Sequence, residues 1–317
     1  MLNTLFGNFT NPALLFFFLG LIAVQIKSDL SIPKNSSKFI SIYLLFAIGF
    51  KGGQELSHSN ISGEIIWSVL LGILSAVAIP LLVFFIVKRK TTIQNAGAIA
   101  AAYGSVSAVT FITTISYLDS ISVDYGGHLV AVMALMEAPA IVVGVLLIRL
   151  FEKDSTKSLK QGIIHSFTNG SVVLIIGSLV IGYLASESQA EGIKPFTTDI
   201  FKGFLAVFLL DMGIQSGKKI KALLKNGISL TLMAIIFPVI NGVLMALLSG
   251  LFIESTGNRL LLTLLAASAS YIAVPAAMRM SAPKANPGIY VPMALAITFP
   301  INVILGIPFY HILINNV

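Results

Sequence analysis

Cysteine is absent from all 317 residues, which excludes disulfides and thiolate-bound metals. Charge is nearly as scarce. Only 10% of the residues are Asp, Glu, Lys or Arg and 56% are hydrophobic, whereas a soluble domain carries about 25% charged residues. So little charge cannot clothe a water-facing surface, and the chain reads as an all-α integral membrane protein. The N-terminal region has neither a basic start nor a small-residue cleavage site, so 13–26 is expected to be a retained span rather than a leader. The four histidines, His58, His128, His165 and His311, all fall at loops or span ends, where surface roles are expected. There is no His-Glu-x-x-His helix and no Gly-x-Ser-x-Gly turn, so no enzyme activity and no organic cofactor are expected.

What is present is a series of long apolar runs. A span of about 20 residues crosses the hydrocarbon, and ten candidates lie near 12–27, 36–51, 63–87, 95–117, 128–151, 166–186, 199–216, 228–252, 258–280 and 289–313. The second and seventh have the shortest apolar cores and are expected to lean on protein rather than lipid. The odd-numbered loops carry 16 of the 20 Lys and Arg residues, leaving Lys51, Lys194, Lys202 and Arg259 for the even ones. By the positive-inside rule the odd loops are cytoplasmic and both termini extracytoplasmic. That placement accounts for the net charge of +7 without any nucleic-acid partner. Membrane lipid is the expected surrounding.

The chain also repeats itself. Ala101 to Val109 and Ala266 to Val274 lie 165 residues apart and agree at five of nine positions. Gly49-Phe50-Lys51-Gly52-Gly53 matches Gly213-Ile214-Gln215-Ser216-Gly217, and Met133-Ala134-Leu135 matches Met293-Ala294-Leu295. The predicted organisation is a first five-span repeat over 1–151, a polar cytoplasmic linker over 152–165, and a second five-span repeat over 166–317. Because five is odd, the second copy enters from the opposite face, giving a 5+5 inverted repeat. Small hydroxyl residues interrupt spans 4 and 9 in corresponding places, and Pro275 removes a backbone donor from the latter. A broken helix duplicated in this way points to a transporter's binding site, although Ser, Gly and Ala also occur at ordinary helix contacts.

Inversion gives the breaks an electrostatic consequence. The second half-helices are predicted to begin near Thr110 and near Pro275, a residue suited to a first turn, and both N-termini then face the midplane. Free N–H groups and about half a positive charge at each suit a small anion without any basic side chain. The candidate anion set is Gly104, Ser105, Ser107, Ala108, Val109, Thr110, Ala273 and Val274. The candidate sodium set, rich in hard oxygens, is Tyr103, Ser268, Ser270, Tyr271, Thr298, Asn302 and Glu137. Glu137, deep in the fifth span, could instead carry a proton or pair with a hydroxyl or backbone amide. Asp211 is expected to make an interfacial ion pair near the Lys218 cluster or to serve a helix end. An inverted repeat suits alternating access more than a pore.

At these residues the chain resembles the sodium-dependent bicarbonate transporters first recognised in cyanobacteria. The resemblance covers nearly the whole length. It rests on Ile48-Gly49-Phe50-Lys51-Gly52-Gly53, Gly104-Ser105-Val106-Ser107, Met136-Glu137-Ala138-Pro139, Leu210-Asp211-Met212-Gly213, Ala266-Ala267-Ser268-Ala269-Ser270, Ala285-Asn286-Pro287 and Thr298-Phe299-Pro300-Ile301-Asn302. It implies a gate or scaffold from spans 1, 2, 6 and 7 and a mobile core from spans 3–5 and 8–10. It also implies sodium-coupled bicarbonate uptake by an elevator-like movement, a homotrimer in a bacterial inner membrane, and sometimes a cytoplasmic PII-like regulator. The sequence departs from the cyanobacterial pattern at Tyr271, where those members carry an acidic residue, and at Val274-Pro275-Ala276 in place of Gly-Pro-Pro. A symporter of a small organic carboxylate, or an anion channel, stands as the alternative.

Overall fold

The computed structural model describes residues 12–58, 62–152, 170–225 and 227–317. The expected linker at 152–165 lies outside them except for Glu152, and so does His165. Every regular element among the described residues is helical. They are α1 (Pro12–Gln25), α2 (Lys34–Ser57), α3 (Gly63–Val87), α4 (Ile93–Gly104), α5 (Ala108–Ser120) and α6 (His128–Phe151). After the linker come α7 (Gly170–Leu184), α8 (Glu187–Lys194), α9 (Phe201–Lys225), α10 (Ile228–Ser249), α11 (Thr256–Ala267), α12 (Ala273–Ser281) and α13 (Pro287–Asn315).

Among the described residues, six helical stretches are long and apolar enough to cross a membrane: α3, α4 with α5, α6, α8 running into α9, α10, and α13. Helix α1 and the 173–184 part of α7 are apolar but shorter. The surface helix α8 is an addition to the sequence reading, which treated its residues as loop. Its start is fixed locally by a capping box, Ser186 accepting from the Gln189 backbone while the Gln189 side chain accepts from Ser186.

Glycines set the tightest contacts. At Gly53 a Cβ would strike the Leu179 backbone carbonyl of α7, and at Gly213 it would strike the Phe17 carbonyl of α1. The two positions lie in segments matched by the repeat, and each lets two helix backbones touch where no larger residue fits. Thus α2 lies along α7 and α1 along α9, while α3, α4 and α6 pack together and α10 lies against α11. Helices α2 and α9 do lean on protein, and both run well past their apolar cores.

The two breaks fall where small residues were noted, with a corrected register. Helix α4 ends at Gly104 with Ser105 as C-cap, and α11 ends at Ala267 with Ser268 as C-cap. Ser105 corresponds to Ser268 and Ser107 to Ser270, an offset of 163 rather than the 165 of best residue identity. N-caps obey the same offset: Thr92 accepts from Asn95 N–H and Ser255 from Asn258 N–H. The starts of the second half-helices, Ala108 and Ala273, keep the offset of 165, so the second break is two residues longer than the first. The second half-helices start at Ala108 and Ala273, two residues before the expected Thr110 and Pro275.

Helix α13 is irregular in a way the hydropathy does not reveal. Wide π-type turns occupy Met293–Thr298 and Asn302–Gly306. Pro300 and Pro308 each lack an N–H and crowd the carbonyl four residues earlier, which falls inside one of these turns. The Ser216 hydroxyl of α9 donates to a neighbouring freed carbonyl, that of Leu295, at 2.9 Å.

Candidate functional site

The broken helices meet and bond to each other. Ser270 N–H donates to the Ala102 carbonyl at 2.8 Å, and Ser107 N–H donates to Ser268 Oγ at 2.9 Å. Ser268 Oγ in turn donates to the Leu265 carbonyl at 2.9 Å. Two serines act as caps rather than free ligands: Ser107 Oγ accepts from Thr110 N–H at 3.2 Å and Ser270 Oγ from Val274 N–H at 3.4 Å. Each satisfies a donor that its half-helix would leave open.

Two hydroxyls here have no such duty. Ser105 Oγ and Thr110 Oγ1 are each on a residue only 1% exposed and have no hydrogen-bond partner among the described residues. Leaving a buried hydroxyl unpaired costs about 1–3 kcal/mol, so they are polar groups that a bound ligand or water would complete. The N–H groups of Ala108 and Val109 stand at the start of the 13-residue α5, where the helix has no carbonyl for them.

A cavity of about 40 Å³ opens beside this end. Of the expected anion residues, Ser107, Ala108, Val109 and Ala273 line it; Gly104, Ser105, Thr110 and Val274 do not. Gly104 is a packing residue, since a Cβ there would strike the Pro80 ring of α3. Of the expected sodium residues, Ser270, Tyr271 and Glu137 line the cavity. Among the described residues, neither lysine nor arginine lines it. The Tyr271 side chain engages Ser107 and lies 3.8 Å from Met212 Sδ.

The remaining sodium candidates, Tyr103, Ser268, Thr298 and Asn302, are not among the residues lining the cavity. Thr298 Oγ1 donates to the Ala234 carbonyl at 2.8 Å, so in its 2.8 Å contact with Tyr103 the tyrosine is the donor. Asn302 Nδ2 donates to the Ala267 carbonyl, the end of α11, at 2.8 Å. Thr298 and Asn302 both border the π-type turns of α13.

Several polar residues had no distinguishing sequence signal. Ser41 of α2 and Phe208 of α9 reach the cavity from the outer helix pairs. Asn95 and Asn258 accept from Asn286 N–H and Gly126 N–H at 2.7 and 2.6 Å, and their shared offset could have revealed them. Arg259 is not a loop charge: it is 8% exposed and donates to the Ala246 and Ile314 carbonyls, at the ends of α10 and α13. Asp211 makes no ion pair among the described residues; it accepts from Ser37 and Gln215. His128 is buried at 6% exposure beside Ser68, so a surface role does not hold for it, whereas His311 is half-buried and contacts Tyr117 at 2.8 Å.

A second, wider cavity of about 420 Å³ lies at the even-loop end between α2, the α5–α6 connection and the start of α9. Lys51 anchors it, donating to the Tyr125 hydroxyl at 2.9 Å and standing 3.7 Å from Asp119 and 3.8 Å from Glu55. Glu55 lies beyond the apolar core of α2. Burial pushes its carboxyl up to about 7, Lys51 opposing and Asp119 and Asp124 adding to the rise.

Residues 12–315 match the model of a family described as the Na+-dependent bicarbonate transporter superfamily. No curated protein matches the chain.

Proposed function

From the premise that this chain belongs to the Na+-dependent bicarbonate transporter superfamily, we propose that it is a sodium-coupled importer of bicarbonate. The observation carrying this reading is the start of α5, where uncommitted backbone donors border a small cavity whose described lining holds no basic side chain. A helix N-terminus binds a monoanion through N–H groups and the helix dipole, without a counter-charge that would hold it too tightly for release. At about 40 Å³ the cavity is small. That suits a planar anion the size of bicarbonate better than a larger carboxylate.

The ten helical passes are read as a 5+5 inverted repeat with both termini extracytoplasmic in a bacterial inner membrane. The sodium ion is placed among the oxygens of the helix crossing, with Ser268, Ser270, Thr298 and Asn302 as the nearest candidates. The packing supports two bodies: the glycine-sealed pairs α1–α9 and α2–α7 as scaffold, and the broken helices with their neighbours as a core. Sliding of the core past the scaffold carries the site across. A homotrimer formed by the scaffold, and control by a PII-like protein, belong to the same reading.

The test is uptake of labelled bicarbonate into liposomes holding the purified protein, with and without an inward sodium gradient. Sodium-driven accumulation with counterflow is expected. Sodium-independent flux without counterflow would indicate a channel, and uptake of small carboxylates in preference would move the substrate to that class.

A further inference from the structure

We propose that Glu137 selects substrates that carry their own proton, accepting the O–H of bicarbonate while its charge turns away anions of similar size that have none. This assignment rests on the transport reading above and concerns which anion that cavity admits. Glu137 lies on α6 and lines the same cavity as Ala108 and Val109 at the start of α5. It has no hydrogen-bond or ion-pair partner among the described residues. A carboxylate sharing a cavity with an anion site, with no lysine or arginine among its described lining residues, repels the anion unless the anion offers a donor.

Bicarbonate offers one. Its unprotonated oxygens take backbone N–H groups at the α5 start, and the remaining O–H needs an acceptor on the facing wall. Ser107 Oγ and Ser270 Oγ each already receive one N–H, from Thr110 and Val274, and like the Ser41 and Tyr271 hydroxyls of the lining they are neutral acceptors. The Glu137 carboxylate is the one anionic acceptor among the described residues lining the cavity, and a hydrogen bond to a charged acceptor is among the stronger kinds. Nitrate has nearly the same planar shape and charge but no hydrogen to give. Formate likewise presents no O–H. For both, the carboxylate is an uncompensated repulsion, so the cavity sorts anions by donor rather than by size.

The experiment measures sodium-driven uptake of labelled bicarbonate in proteoliposomes with nitrate and formate as competitors, for the wild type, Glu137→Gln and Glu137→Asp. In the wild type, bicarbonate should be favoured over nitrate. In Glu137→Gln, bicarbonate affinity should fall and nitrate inhibition strengthen, lowering the selectivity ratio by about tenfold, the scale of one charged hydrogen bond. Glu137→Asp, which keeps the charge, should retain most of the ratio. An unchanged ratio in a folded, transporting Glu137→Gln protein overturns the assignment. So does wild-type protein on which nitrate competes as well as unlabelled bicarbonate, a result independent of how any variant folds. Wild-type protein with no sodium-driven bicarbonate uptake overturns the transport reading itself, and this assignment with it.

Discussion

At the residue scale, the breaks hold hydroxyls of two kinds that substitution separates. Ser105 and Thr110 are buried and unpartnered, so Ser105→Ala and Thr110→Val each remove a desolvated polar group and should leave the melting temperature unchanged or raised. Neither residue lines the anion cavity, so bicarbonate affinity should stay unchanged, and a loss of about one hydrogen bond, roughly 1 kcal/mol, would put the hydroxyl at the ligand. Ser107→Ala loses a cap and should destabilise by about 1 kcal/mol. Thermal melts in detergent beside uptake titrations check both halves. Glu55 gives a pH dependence with a definite sign. Its folded value of about 7 stands above the ordinary 4.5, so the folded protein holds the proton more tightly than the unfolded chain. Ionisation is therefore a cost to the fold, absent below the ordinary value, growing as pH rises and complete above the folded one. Glu55→Gln should raise the melting temperature near about pH 8 and leave it unchanged near about pH 4. An equal shift at both would show that Glu55 is not the titrating group.

At the element scale, helix pairing depends on glycines whose neighbours are backbone. Gly53→Val and Gly213→Val leave no room for a Cβ without parting α2 from α7 or α1 from α9, and overpacking of this kind costs typically about 1–3 kcal/mol. Gly177 and Gly203 face open space, so alanine there should be neutral or should add up to about 1 kcal/mol through helix propensity. Comparing the four variants by melting temperature tests whether close approach, rather than glycine content, holds the pairs. The sequence repeat pointed to the Gly49 and Gly213 segments correctly. Its offset of 165 holds for the starts of the second half-helices, Ala108 and Ala273, while the ends of the first half-helices keep 163, because the second break is two residues longer.

At the scale of the molecule, function depends on whether the broken helices move as a body against α2 and α9. Leu44 of α2 and Val106 at the first break line the same cavity. A Leu44→Cys, Val106→Cys pair, in a chain with no native cysteine, should stop transport when oxidised and restore it on reduction. Normal uptake by protein verified as fully cross-linked would rule out sliding and favour a local gate.

Membrane residence, helical class, the two interrupted spans and their small-residue chemistry were determined by the sequence itself. Each follows from local properties: hydropathy over a run, scarcity of charge, and serines and a proline set in apolar surroundings. Which hydroxyls are free was decided by tertiary structure alone, because Ser105 and Ser107 are equivalent on paper and differ only in that one finds a backbone donor. Glu137 meeting the start of α5, and Thr298 being bound by Tyr103 and Ala234, were equally beyond local reading. These residues are separated by tens to nearly two hundred positions. Hydropathy sets how deep a residue lies along its helix, whereas the rotation and crossing of packed helices decide what it faces.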